Sequence, residues 1–241
     1  MPAYHRGQAT ALPFDLMPRA SRVTSLAFAA IVVTVAGTSC VPADSRPSLG
    51  TAPVDTVSRE PTGNPLVDEV LARLDAVDAQ TFTADYSIER KLGDLQRNAH
   101  VAQAPPQTVV KIGDVALYSD PPAQTCDTAK NTCEDGLLEQ RISDMGISSR
   151  FYGPATAQQL RVAVSREDTA PSVDTEQIGG TVAQCLHVPV GGGEETYCVT
   201  GTGLVALLDT AAMHIELTSY SPAASAEEFS RPGQASSTAS S

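Results

Sequence analysis

Five cysteines and four histidines are the residues of this 241-residue chain that could most readily bind a metal ion or form covalent links. Cys185, His187 and Cys198 could together supply three ligands to zinc. The competing interpretation is a disulfide, because a two-residue turn at residues 191–192 would place Cys185 directly opposite Cys198 in an antiparallel hairpin. Counted outward from that turn, Cys185 and Cys198 occupy a non-hydrogen-bonded position of the strand pair. Side chains that face each other lie closest at such positions, which helps a disulfide to form. An oxidising compartment also favours bridges, so we expect a disulfide here and no metal ion.

Two further cysteines are close enough in sequence to pair locally. Cys126 and Cys133 flank the polar sequence Asp-Thr-Ala-Lys-Asn-Thr, which is typical of a turn-like loop. We expect a second disulfide between them. For loops of these lengths, each bridge should stabilise the fold by about 2–3 kcal/mol.

Motifs that carry catalysis are not found in the sequence. It contains no His-Glu-x-x-His, no Gly-x-Ser-x-Gly and no phosphate-binding loop followed by Lys. Asp120, Asp127 and Asp135 could approach a calcium ion, but they lack the ligand spacing of an EF-hand. We therefore expect a protein that is not an enzyme and has no cofactor.

The overall charge limits the choice of partners. The chain has 16 basic and 28 acidic residues, a formal net charge of −12. A nucleic-acid binder needs a basic face, so this balance argues against one. Hydrophobic residues make up 41% of the chain, which argues against disorder throughout.

The N-terminal region has the pattern of an export signal. Arg19 and Arg22 precede an uncharged apolar run at residues 23–37, and small residues follow it. The run is shorter than the approximately 20 residues that a membrane-spanning helix needs. Starting at Met17 gives a more compact signal than starting at residue 1, so we expect Met17 to be the true start.

The end of the apolar run, Gly37-Thr38-Ser39-Cys40, resembles the lipobox of bacterial lipoproteins. In that family the cysteine becomes the first residue of the mature chain and carries the acyl lipid, which includes palmitate. The resemblance implies lipidation at Cys40 and anchoring to the extracytoplasmic face of the cell membrane. Gly37 stands where an aliphatic residue is usual, so ordinary cleavage and an uncleaved anchor are the alternatives.

Composition divides the chain into four parts. Residues 1–39 form the expected signal peptide, and residues 40–63 combine the lipidated cysteine with a linker rich in Pro, Gly, Ser and Thr. Residues 64–220 form one domain, large enough for a proper core. Residues 221–241, rich in Ser and Ala, are expected to be a disordered tail.

The domain begins with a helix and continues as a series of strands. Asn64 is a good N-cap, Pro65 suits the first helical position, and apolar residues recur at helical spacing as far as Val77. Residues 154–160 look helical behind Pro154, but apolar and polar residues alternate over 160–165, so helix and strand both remain open. Alternation and turn residues predict strands at 82–88, 95–103, 107–112, 115–119, 137–143, 172–178, 181–189, 194–200, 203–208 and 212–220.

This element order resembles that of the LolA-like envelope proteins, which include exported lipoproteins of the LppX/LprG type and RseB-type sensors. The resemblance covers about residues 64–220 and depends on the motifs at 178–181 (Ile-Gly-Gly-Thr), 185–189 (Cys-Leu-His-Val-Pro), 197–199 (Tyr-Cys-Val) and 202–204 (Thr-Gly-Leu). It implies an α+β, mainly β fold: a curved antiparallel half-barrel sheet with one or two covering helices. In that family the sheet and helices enclose an apolar pocket for acyl chains.

Strand alternation selects the side chains that would face such a pocket, since one face of a half-covered sheet is apolar. They are Phe82, Tyr86, Ile88, Val182, Leu186, Val188, Tyr197, Met213, Ile215 and Leu217. We expect a lipid-anchored binder or carrier of lipid acyl chains. The alternative is a sensor, regulatory or structural envelope module that binds a membrane protein and has no lipid ligand.

Overall fold

One antiparallel sheet of eleven strands dominates the computed structural model, which describes residues 60–166 and 169–233. The strands are β1 (Phe82–Arg90), β2 (Leu95–Ala104), β3 (Gln107–Ile112), β4 (Val115–Tyr118), β5 (Gln124–Asp127), β6 (Thr132–Asp135), β7 (Ser172–Ile178), β8 (Thr181–Val190), β9 (Gly193–Thr200), β10 (Val205–Asp209) and β11 (Met213–Ser221). Their order across the sheet is β6-β5-β4-β3-β2-β1-β11-β10-β9-β8-β7. Two meanders therefore meet where β1 pairs with β11. The predicted fold class is confirmed: the protein is mainly β, with one curved antiparallel sheet that does not close.

The first helix, α1 (Pro65–Ala76), begins as the sequence predicts. The Asn64 side chain accepts hydrogen bonds from the backbone N–H groups of Leu66 and Val67, which would otherwise have no partner. One face of the helix is buried in the core through Val67, Val70, Leu71 and Leu74. A 3₁₀ turn, Val77–Ala79, leads from α1 into β1.

The second helix, α2 (Pro154–Ser165), settles the ambiguity left by the sequence. Pro154 occupies its first turn, and Ala157, Leu160 and Ala163 are buried at intervals of three residues. That interval is helical, so the apparent alternation near residue 160 does not reflect a strand.

The two helices pack against each other. Gly153, just before α2, lies so close to α1 that an added Cβ would come within 2.3 Å of Val77 Cγ1. Arg161 of α2 forms an ion pair with Asp75 of α1. Within the described part of the chain, no helix is long and apolar enough to cross a membrane.

The prediction of a strand at 137–143 is wrong. Residues Glu139–Met145 form a 3₁₀ segment, in which Ile142 and Met145 are buried three residues apart. Three residues make one 3₁₀ turn, so both side chains reach the same side. Gly146 ends the segment with a positive φ of 72°.

Both disulfides pair as predicted. Cys185 faces Cys198 in the β8–β9 hairpin, which turns between Val190 and Gly193 as the sequence implied, and the Cα atoms are 3.9 Å apart. Cys126 faces Cys133 with a Cα separation of 4.0 Å. This second pair also lies between two strands, because β5 and β6 form a short hairpin that the sequence did not reveal.

The folded domain extends beyond Tyr220. Phe229 packs against an apolar cluster on the outer face of the sheet, and Tyr118 Oη donates a hydrogen bond to the backbone oxygen of Ser230 at 3.0 Å. Arg231 forms an ion pair with Asp120 at 2.9 Å. The prediction of a disordered tail is therefore wrong for residues 221–233, because these side chains have partners on distant strands. Residues 234–241 lie outside the described residues.

The predictions for the N-terminal region also fall outside the described residues. They concern the signal peptide, the start at Met17, the lipidated Cys40 and the linker up to residue 59. Of the linker, only residues 60–63 are described. Thr62 lies close to α1 and donates a hydrogen bond from its backbone N–H to Asp68 at 2.8 Å.

Candidate functional site

An open groove of about 830 Å³ lies between α2 and the strands β9, β10 and β11. Pockets that bind small molecules usually measure about 300–1,000 Å³, so the groove falls in that range. One wall is the helix itself, whose lining residues extend from Ala155 to Ala163, and Arg166 directly after the helix continues it. The loop before the helix closes one side through Gly146, Ile147, Ser148 and Phe151.

The floor of the groove is an apolar row across three strands. Tyr197 of β9 is paired with Leu208 of β10, which is paired in turn with Ile215 of β11. Met213 extends this floor along β11. All four side chains are at least nine-tenths buried, so the sheet presents a firm apolar surface to the groove.

The helix does not fill the groove because its side chains there are small or polar. Ala155, Thr156 and Ala163 have short side chains, and Gln158 and Gln159 are polar. Val162, which is 41% exposed, is the largest apolar side chain that α2 contributes to the lining. The space between helix and sheet therefore stays open to a ligand.

Two charged residues lie in the described lining of the groove, Arg166 and Glu195. Glu195 accepts a hydrogen bond from the hydroxyl of Tyr197 at 2.5 Å. Burial raises the pKa of Tyr197 well above its ordinary value, and the hydrogen bond to the Glu195 carboxylate raises it further. Tyr197 therefore stays neutral, and its ring forms part of the apolar floor while its hydroxyl reaches the polar rim.

A chain of aromatic and polar contacts fixes the segment that leads into α2. The rings of Tyr86 and Phe151 meet edge to face at 5.0 Å, and those of Phe82 and Tyr152 at 5.8 Å. The hydroxyl of Tyr152 donates to Gln103 Oε1 at 3.0 Å. These contacts tie the loop and the start of α2 to β1 and β2, and so hold the groove's wall in place.

The residues predicted to face a ligand occupy three different places. Tyr197, Met213 and Ile215 line the groove. Most of the others are buried in the main core and do not line the groove: Phe82, Tyr86, Ile88, Leu186, Val188 and Leu217. Val182 lies near the start of β8 and is 54% exposed.

Sequence reasoning missed the wall of the groove. The loop at 146–148, Phe151 and the inner face of α2 were not predicted as site residues. The sequence did hold one signal for this wall. If residues 154–165 form a helix, one of its faces carries small and polar side chains, which predicts that the helix covers the apolar face of the sheet incompletely.

A metal site at the β8–β9 hairpin is excluded by the disulfide. Within the described residues, Glu176, Cys185 and Cys198 form the one group of potential ligands close enough to share an ion. The two sulfur atoms are bonded to each other and are not thiolates, the form in which cysteine binds metal. His187 instead lies beside Thr196, with its Nδ1 3.3 Å from the Thr196 hydroxyl.

Several solved structures share part of this fold at low similarity. MucB is 14% identical with a TM-score of 0.42, over 71% of this chain and 64% of MucB. The MucA/MucB complex of Pseudomonas aeruginosa is 14% identical with a TM-score of 0.40, over 68% of this chain and 60% of that one. An uncharacterised conserved protein from Thermus thermophilus is 8% identical with a TM-score of 0.37, over 65% of this chain and 86% of that one.

The chain thus spans about three fifths of the MucB chains that it matches. No protein-family model matches the sequence, and no curated protein matches it.

Proposed function

We propose that the protein is a non-catalytic, lipid-anchored envelope protein whose domain binds the acyl chain of a lipid in the groove beneath α2. The observation that carries the proposal is the open volume of about 830 Å³ above the apolar floor. An acyl chain is long, narrow and apolar, and its burial against such a floor is favourable by about 25 cal/mol per Å².

The N-terminal sequence supports the location. Residues 23–37 read as the apolar part of an export signal, and the lipobox-like sequence ends at Cys40. Lipid at Cys40 would hold the domain at the extracytoplasmic face of the membrane, where acyl chains are available. The two disulfides agree with an oxidising compartment.

Lipid uptake by delipidated protein tests the proposal. We expect the purified chain to bind pyrene-labelled palmitate, measured by the probe's fluorescence. The variant Val162→Trp fills the groove from the helix side, and we expect it to weaken binding at least about tenfold.

Ser165→Trp is the matched control, since Ser165 lies on the same helix, is exposed, and does not line the groove. It should change the affinity by less than about twofold, a small free-energy difference. Circular dichroism of both variants should show the helix and strand content of the parent. Equal binding by the two variants, or no uptake by the parent protein, would contradict the proposal. Capture of a membrane protein by a chain that takes up no lipid would instead favour a sensor module.

A further inference from the structure

Strand β7 forms an exposed edge of the sheet. Among the described residues its only strand neighbour is β8, and six of its seven residues are exposed. The opposite edge strand, β6, has only four residues. Edge strands are usually protected from pairing with other chains by a proline, a bulge or charged side chains, above all lysine. β7 has no proline, lysine or bulge, and its two charged residues, Asp174 and Glu176, are both acidic.

The hairpin turn determines which backbone groups of β7 are free. Gly179 and Gly180 form a two-residue turn with φ values of 58° and 80°, so Ile178 and Thr181 are the hydrogen-bonded pair that closes the hairpin. Every second residue from Ile178 then bonds to β8, and the residues between them point their backbone N–H and C=O groups to the open edge. The outward-pointing residues are Val173, Thr175 and Gln177.

The outer face of this edge is acidic. Asp174 and Glu176 alternate along β7, and Glu194 lies nearby on β9. The His187 ring is between two of these carboxylates, 3.3 Å from Asp174 Oδ1 and 3.2 Å from Glu194 Oε1. A basic side chain on an added strand would meet this acidic surface.

The inner face of the same edge is partly apolar and hollow. Val173 is 37% exposed and Val182 is 54% exposed, and both line a hollow of about 460 Å³. Arg73 and Gln184 form its far side, and the Nε atom of Arg73 is buried without a hydrogen-bond partner among the described residues. An apolar side chain on an added strand would cover the two valines.

We propose that β7 is a docking edge for another protein, which adds an extended segment to the sheet as a twelfth strand. The outward backbone groups supply the hydrogen bonds, as in other cases of strand addition. The two faces set the sequence of the segment: apolar side chains toward Val173 and Val182, alternating with basic side chains toward Asp174 and Glu176. This edge is separate from the lipid groove, and the proposal does not depend on that groove.

A second copy of this chain does not fit the edge. Antiparallel self-pairing through the outward groups must centre on residue 174, 175 or 176. These registers place Asp174 opposite Asp174, Asp174 opposite Glu176, or Glu176 opposite Glu176. Like charges directly opposite each other destabilise a strand pair, so the edge favours a basic partner over itself.

A peptide of ten residues with alternating Val and Lys and blocked ends is the probe, and the full-length chain is the protein. We expect binding in a fluorescence anisotropy titration that weakens as salt rises. Thr175→Pro removes one outward N–H group but no hydrogen bond to β8, and proline is tolerated at such edge positions. We expect it to weaken binding at least about tenfold, while Thr175→Ala changes it less than about twofold.

Because Thr175→Pro leaves the charge unchanged, non-specific attraction of a basic peptide would be unaffected by it. Equal binding by the two variants would therefore overturn the proposal. A peptide methylated at its backbone nitrogens tests the same hydrogen bonds without changing the protein, and should not bind. Two results with the free protein would also overturn it: a dimer in sedimentation, or amides of Val173, Thr175 and Gln177 already protected from hydrogen exchange.

Discussion

Two buried tyrosines near α2 look alike in burial but differ in their hydroxyl groups. The hydroxyl of Tyr152 donates to Gln103, whereas the hydroxyl of Tyr86 is buried with no partner among the described residues. A buried polar group without a partner costs free energy, and a satisfied one contributes about 1 kcal/mol.

The pair of variants Tyr86→Phe and Tyr152→Phe should therefore have different effects. We expect Tyr86→Phe to leave the free energy of unfolding unchanged or raise it by about 1 kcal/mol, because it removes the unsatisfied hydroxyl. Tyr152→Phe should lower it by about 1 kcal/mol, because it removes the shorter of two hydrogen bonds to Gln103 Oε1 and leaves only the one from the Thr108 hydroxyl at 3.4 Å. Urea unfolding of both variants measures this. Equal losses would show that the Tyr86 hydroxyl does have a partner.

The same burial predicts how stability depends on alkaline pH. Burial raises the pKa of Tyr86, of Tyr152 and of Tyr197 above the ordinary value of about 10. In the unfolded chain these side chains ionise above about pH 10, but in the folded protein the raised pKa keeps them protonated to higher pH, so each favours unfolding as the pH rises. Their contribution to stability is complete below that pH and is lost above it.

Unfolding by urea at pH 8 and pH 11 tests this dependence. We expect the free energy of unfolding to fall by about 1 kcal/mol for each of the three tyrosines by pH 11. Tyr86→Phe should reduce this loss by about 1 kcal/mol, the contribution of one tyrosine. An unchanged stability at pH 11, with a tyrosinate absorbance that accounts for all six tyrosines of the folded protein, would contradict the assigned burial.

At the scale of elements, the disulfides connect facing strands in both meanders. Cys185–Cys198 closes a loop with a sequence separation of 13, and Cys126–Cys133 closes one of 7. The longer loop loses more entropy when it is closed in the unfolded chain. The double variant at 185 and 198, with Ala at both positions, should cost about 3 kcal/mol, and the double variant at 126 and 133 about 2.5 kcal/mol.

Peptide mapping without reduction provides the first check, since it should recover the same two pairs. Urea unfolding of the two double variants then gives their costs. A mixed peptide that joins Cys126 to Cys185 would contradict the register of both hairpins.

Several elements were predictable because their signals are local. The N-cap at Asn64 begins α1, and the two-residue turn at 191–192 sets the register that joins Cys185 to Cys198. In both cases the deciding contacts lie within a few residues of each other. The antiparallel meanders follow from short alternating strands with close turns.

Other elements depend on contacts between distant parts of the chain. In the sequence, Phe229 and Arg231 look like residues of a disordered tail. In the fold, Phe229 packs against residues of β4 and β5, and Arg231 pairs with Asp120 between those strands. The strand predicted at 137–143 is instead a 3₁₀ segment, in which Ile142 and Met145 are buried three residues apart by contacts with the rest of the core. The groove also depends on contacts between distant parts of the chain. Its wall consists of α2 and the loop before it, and its floor consists of strands β9, β10 and β11, which come later in the sequence.

The whole molecule combines an acidic domain with an apolar N-terminal segment. Anionic membrane surfaces repel a chain with a net charge of −12, so the proposed lipid at Cys40 must hold the protein at the membrane. We expect Cys40→Ala to move the protein from the membrane fraction to the soluble fraction, measured by immunoblot of fractionated cells. Retention in the membrane would indicate an uncleaved N-terminal helix or a protein tether.

The central claim is that an acyl chain lies in the groove between α2 and the floor of β9, β10 and β11. Binding of a spin-labelled stearic acid, followed by methyl NMR of the full-length chain, tests it most directly. We expect strong paramagnetic broadening of the methyl signals of Val162, Leu208, Met213 and Ile215. The signal of Val109, which is buried in the outer-face cluster against which Phe229 packs, should be unchanged. Broadening confined to Val173 and Val182 at the β7 edge, or no broadening at all, would contradict it.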